Sequence, residues 1–229
     1  MKKTYITFLL SIVCTSMFAQ YDGPVAPNYN EIENNITLKY NYSELMNKYM
    51  AGDTEMSIEE QRHLYYGFVF QPHYNPSDTS KYNNDLSQVL NKQFLSTSDY
   101  IDVEKHAKAL LTEDPFNLRA LNALLLVYAQ LDNSEQYKIT TQKKDIVQRA
   151  ISSSGDGMTK KTAFYVIKVS HEYDILGFLG FKYGGSEKIE KNCKCNSLSL
   201  ATNPFDIDKV YFNIEPILDY AKRKGGGKL

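Results

Sequence analysis

Four histidines, a pair of closely spaced cysteines and one aromatic cluster are the residues whose types and spacing suit chemistry. Glu60 and His63 lie three apart, so a helix would bring them together on its surface. That spacing suits a two-ligand half-site for a metal or an acid–base pair. Any charged helix face provides the same spacing, and that bland reading outweighs the functional one. His106 sits among Glu104, Lys105 and Lys108, which predicts a solvated face. His171 opens "SHEYD" beside Glu172 and Asp174. Acids in a first helical turn complement the helix dipole, so a capping role is expected there.

His73 is the best placed of the four. It lies in "YYGFVFQPHYNP", residues 65–76, where five aromatics, one Gly and two Pro surround it. Tyr66, Phe70, His73 and Tyr74 are therefore the candidate binding residues, able to stack on a sugar or a peptide. Against this, Tyr65, Phe68 and Val69 follow helical spacing, which predicts core. Gly67 among such large side chains fits the close approach of another element. A structural seam is the weightier reading, because buried aromatic clusters are the commoner use. Cys193 and Cys195 in "NCKCN" predict first a disulfide, which requires a turn at Lys194, then free thiols, then half of a metal site. Asp206 and Asp208 in "NPFDID" read as a turn before a strand. The chain has no G-x-S-x-G, H-E-x-x-H, P-loop or G-x-G-x-x-G, and no cofactor is implied.

These residues must be held by identifiable elements. Residues 20–42 hold two Pro and many Asn, and predict an extended, exposed lead-in with a short turn of helix near Tyr29–Asn34. Residues 43–154 predict a helical region. "SELMNKYMAGD" opens on Ser43 and stops at Gly52, and Ser57 with Glu60 makes a capping box. Further helices are expected over 81–91 and 99–114, then from Pro115 with Asp114 as cap, then from Ser134. The Asp114–Pro115 junction followed by Leu121, Leu124 and Tyr128 resembles part of a tetratricopeptide repeat, so repeat-like helical hairpins are expected. Residues 158–224 predict a small α+β region packed on the helices. Strands are expected over 162–169, within 186–201 and over 209–214, with two short helices. The overall expectation is an α+β fold with a three-stranded antiparallel sheet.

The first nineteen residues, with Lys2, Lys3, an apolar run over 5–13 and Ala19, predict a cleaved signal peptide. A lipoprotein site at Cys14 is disfavoured by Val13 before it, where such a site takes a small residue. Export to the periplasm or beyond is expected. Removing Lys2 and Lys3 from 26 basic residues leaves 24 against 27 acids, a net charge of −3. Nucleic acid is a poor partner for that balance, and no later run is long enough to span a membrane.

The segments "YYGFVFQPHYNP", "VSHEYDILGFLGFKYGGSEKI" and "VYFNIEPI" resemble a secreted Gram-negative family known only as a domain of unknown function. The resemblance implies an exported α+β protein and brings no catalytic residue with it. The expected function is a non-enzymatic interaction protein for a protein or peptide partner. The alternatives are a hydrolase-type enzyme or a small-ligand carrier using a cleft around residues 63–74.

Overall fold

The computed structural model describes residues 23–77, 79–190 and 192–225. The expected signal peptide and Cys14 lie outside the described residues. The fold is α+β, a helical half followed by strands.

α1 spans Tyr29–Leu38, longer than the short helical turn near Tyr29–Asn34 expected within the lead-in. The Asn28 side chain caps it by accepting from the Glu31 amide, and Ile32 and Ile36, one turn apart, are buried. That short apolar stripe finds a seat at Gly67, where an added Cβ would stand 2.9 Å from Ile36 Cγ2. Tertiary burial thus overrides an Asn-rich local sequence. α2 spans Tyr42–Ala51 and ends at Gly52, whose φ of 65° is the left-handed conformation that favours glycine. α3 spans Ile58–Gly67 behind a complete Ser57–Glu60 capping box, and every residue from Gln61 to Gly67 is buried. A single 3₁₀ turn, Phe68–Phe70, then leads to Pro72.

α4 (Lys81–Leu90), α5 (Thr97–Glu113), α6 (Leu118–Gln130) and α7 (Ser134–Ser152) follow, each packed on the next. α6 starts three residues later than the Pro115 start expected from sequence. Asn117 is its cap, accepting from the Ala120 amide. Asp114 is occupied elsewhere: its Oδ2 accepts from Lys168 Nζ at 2.6 Å and from Asn117 Nδ2 at 3.1 Å.

β1 (Phe164–Tyr165), α8 (Ser170–Phe178), β2 (Tyr183–Glu190), β3 (Cys195–Leu200), β4 (Lys209–Asn213) and α9 (Glu215–Arg223) complete the described chain. The strands form one four-stranded sheet in the order β1-β4-β3-β2. It is mixed, not a purely antiparallel sheet of three: β1 runs parallel to β4 through only two residue pairs, Phe164–Phe212 and Tyr165–Asn213. The stretch 186–201 is a hairpin instead of one strand, because the chain reverses at Lys194, whose φ is 46°. Helices and sheet share one core, in which Tyr65, Phe68 and Phe116 join Val147, Leu198 and Phe212. A second cluster, including Leu86, Val103, Leu110 and Val127, lies between α4, α5 and α6, and Leu111 packs on both.

Candidate binding groove

The aromatic segment divides between core and surface. Tyr65, Tyr66, Phe68 and Tyr74 are buried, Phe70 is half-buried against Tyr29, and His73 is exposed. The buried hydroxyls are used within the protein. Tyr66 Oη lies 3.1 Å from the Ala150 carbonyl, and Tyr74 Oη donates to Ile167 at 2.7 Å. Burial pushes the pKa values of Tyr65, Tyr66 and Tyr74 above the ordinary phenol value, so these phenols stay neutral donors. Tyr66 and Tyr74 thus tie the seam to α7 and to the residues after β1.

His171 belongs to the same seam and does not cap α8. Its Nε2 lies 3.1 Å from the Phe116 carbonyl, which can only accept, so Nε2 carries the proton. Nδ1 therefore accepts from Tyr65 Oη at 2.7 Å, and that oxygen accepts from the Ile167 amide at 3.3 Å. His63 is also committed. Nδ1 donates to the Glu59 carbonyl at 2.7 Å, Nε2 meets Asn35 Nδ2 at 3.1 Å, and the ring stacks on Tyr40. Glu60, its sequence neighbour, turns to Lys48 at 2.5 Å and to the Ser57 amide at 2.8 Å. The spacing that suggested a Glu60–His63 pair therefore serves two separate structural ties. His106 is half-buried, 3.8 Å from Asp85.

His73 stands at the edge of an open groove of about 1060 Å³. Five helices build it, each giving side chains at helical spacing, with Ile36 and Thr37 coming from α1. α2 contributes Met46 and Met50, α5 Lys108, Leu111 and Thr112, and α6 Leu124 and Tyr128. α7 contributes Gln136, Ile139, Thr140 and Lys143. The approach of α2 to α7 is set at Gly52, where an added Cβ would sit 3.1 Å from both Ile139 Cα and its carbonyl oxygen. The lining contains Lys108, Lys143 and His73 but neither Asp nor Glu. Lys108 is paired with Glu104 at 2.6 Å.

Lys143 is different. It is 9% exposed, its Nζ reaches Met50 Sδ at 3.5 Å, and it stands 5.1 Å from the Tyr49 ring centroid. No carboxylate among the described residues pairs with it. Burial pulls its pKa below the ordinary lysine value. Tyr42, which also lines the groove, has a buried hydroxyl without a hydrogen-bond partner among the described residues. Neither residue stood out in the sequence. The available signal was Lys143 lying on the same stripe as Ile139, Ile146, Val147 and Ala150.

Cys193 and Cys195 meet in a disulfide across the β2–β3 turn, with Cα atoms 5.1 Å apart. Among the described residues no three His, Cys, Asp or Glu converge as a metal site. No helix among them is long and apolar enough to cross a membrane.

Fold and site together define an α+β protein whose helical half carries an open, cation-bearing apolar groove. Residues 29–223 match the family described as a domain of unknown function, DUF4919, and the chain belongs to that family. No match was found among curated proteins or among solved structures.

Proposed function

We propose that the protein is an exported interaction protein that seats a peptide segment of a partner in the groove between α2 and α5–α7. The observation that carries this reading is a groove of about 1060 Å³ with an apolar floor. Concave, mostly apolar surfaces with a few polar groups are the usual form of binding sites. Met46 and Met50 supply flexible, polarisable contacts of the kind found at adaptable binding surfaces. Asn41, Asn47, Gln71 and Gln136 line the groove as well, and their amides suit the donors and acceptors of a peptide backbone. The groove is open to solvent, which suits a chain segment better than an enclosed small molecule. The hydrolase alternative needs His73 to meet an acid, and the groove lining holds none. Export is the reading of residues 1–19 alone.

The test is selection of short peptides from a display library on the folded protein. Selected peptides should bind the parent and lose binding to Met50→Arg, a change at a half-exposed groove position. A library that yields no binder, or binders indifferent to that substitution, contradicts the proposal.

A further inference from the structure

We infer that the groove reads a carboxylate, so that its occupant is a peptide carrying Asp or Glu beside apolar residues, with the acid anchored at Lys143. The inference rests on the peptide-binding reading above and adds the chemistry of the partner.

Among the described residues, one donor of the groove lining, Lys143 Nζ, has no oxygen acceptor. Lys143 is more than nine-tenths buried, and its Nζ meets only a thioether, a weak acceptor, among the described residues. The buried Tyr42 hydroxyl has no partner among the described residues. A buried ammonium without a carboxylate or carbonyl is costly to hold. The Tyr49 ring face offsets part of that cost. The remaining deficit is one that an incoming anion removes, because a charge-assisted hydrogen bond forms where the free protein has none. The rest of the lining does not oppose an anion. Lys108 is paired with Glu104 outside the lining, and no acid lines the groove to repel a carboxylate. The floor around Lys143 is apolar, with Met46, Leu111, Leu124 and Ile139, so the acid must come flanked by apolar groups.

The experiment uses two peptide display libraries on the full chain. One contains all residues, and in the other Asp and Glu are replaced by Asn and Gln. The expected result is strong enrichment from the first and at least tenfold weaker binders from the second. In Lys143→Met, which keeps the apolar stem and removes the charge, the difference between libraries should vanish while apolar binding persists. Equal enrichment from both libraries overturns the carboxylate anchor and leaves the groove reading standing. No enrichment from either overturns the groove reading itself. Competition by decanoate that is stronger than the best peptide and lost in Lys143→Met assigns the site to a lipid-like carboxylate and overturns the peptide. Self-association of the protein that Met50→Arg abolishes, with no peptide bound, assigns it to a second copy and overturns it too. Circular dichroism of Lys143→Met separates a misfolded variant from a binding defect, and Lys143→Gln repeats the measurement if that variant fails to fold.

Discussion

Stability should fall as pH rises because of one carboxyl group, Glu172 in the first turn of α8. Glu172 is fully buried, and Asn196 Nδ2 donates to its Oε2 at 2.8 Å. Glu172 Oε1 and Asn196 Oδ1 are both buried and have no hydrogen-bond partner among the described residues. A neutral acid supplies the missing O–H, and acid and amide can then pair through two hydrogen bonds. Burial accordingly pushes the Glu172 pKa from 4.5 up to about 8, the Asn196 hydrogen bond pulls it down in part, and the charge of Glu187 adds to the rise. The sign follows from proton counting. Between pH 4.5 and about 8 the folded state holds this proton and the unfolded state has lost it, so stability falls with pH across that window. About 3.5 pH units at 1.36 kcal/mol each gives a loss of about 4–5 kcal/mol. Glu172→Gln keeps the shape of the neutral acid and cannot ionise. Urea unfolding followed by tyrosine fluorescence, at pH 4.5 and pH 8.5, measures both proteins. Comparing them cancels every other titrating group. The variant should match the parent within about 1 kcal/mol at the lower pH and exceed it by about 4–5 kcal/mol at the higher one. Parallel pH profiles for the two proteins would refute the assignment of a buried neutral acid.

Three further outcomes follow from geometry already described. Tyr65→Phe removes the donor to His171 and the acceptor for the Ile167 amide, and should cost about 1–3 kcal/mol in the same urea assay; no change would show that the network carries no weight. Gly52→Ala forces a Cβ into the left-handed region and against the Ile139 backbone. It should cost at least about 1 kcal/mol and weaken peptide binding, and an unaffected variant would refute the close α2–α7 approach. Trypsin cutting after Lys194 should leave two fragments joined through Cys193 and Cys195 until a reductant is added, and reduction should cost about 1–2 kcal/mol, as a short closed loop implies; fragments that separate without reductant would contradict the disulfide.

What the sequence discloses is mostly local. The Ser57–Glu60 box, the stop at Gly52 and the core register of Tyr65 and Phe68 depend on neighbours within one or two turns. Gly67 between bulky aromatics marked a close approach, and Ile36 with Tyr42 fills it. The fold class was legible for the same reason, since helical and strand periodicities segregate along the chain. The rest depends on pairings distant in sequence. β1 joins β4 over two residues, too few to leave a pattern. α1 shows only Ile32 and Ile36 as a stripe, and its helix is fixed by the seat that α3 offers. His171 resembles a cap until Tyr65, more than a hundred residues earlier, reaches its ring. The groove is the extreme case, because five helices each contribute an ordinary amphipathic face. Lys143 looks like a solvated lysine until the burial of its stripe places it beneath Met50.

Methionine methyl NMR tests the groove as the binding site most directly. Met46 and Met50 line it, Met56 is buried in the main core, and Met158 is half-exposed outside the lining. Titration with a selected acid-bearing peptide should shift the Met46 and Met50 methyl signals and leave those of Met56 and Met158 in place. Shifts confined to Met158, or saturable binding that moves neither Met46 nor Met50, would contradict it.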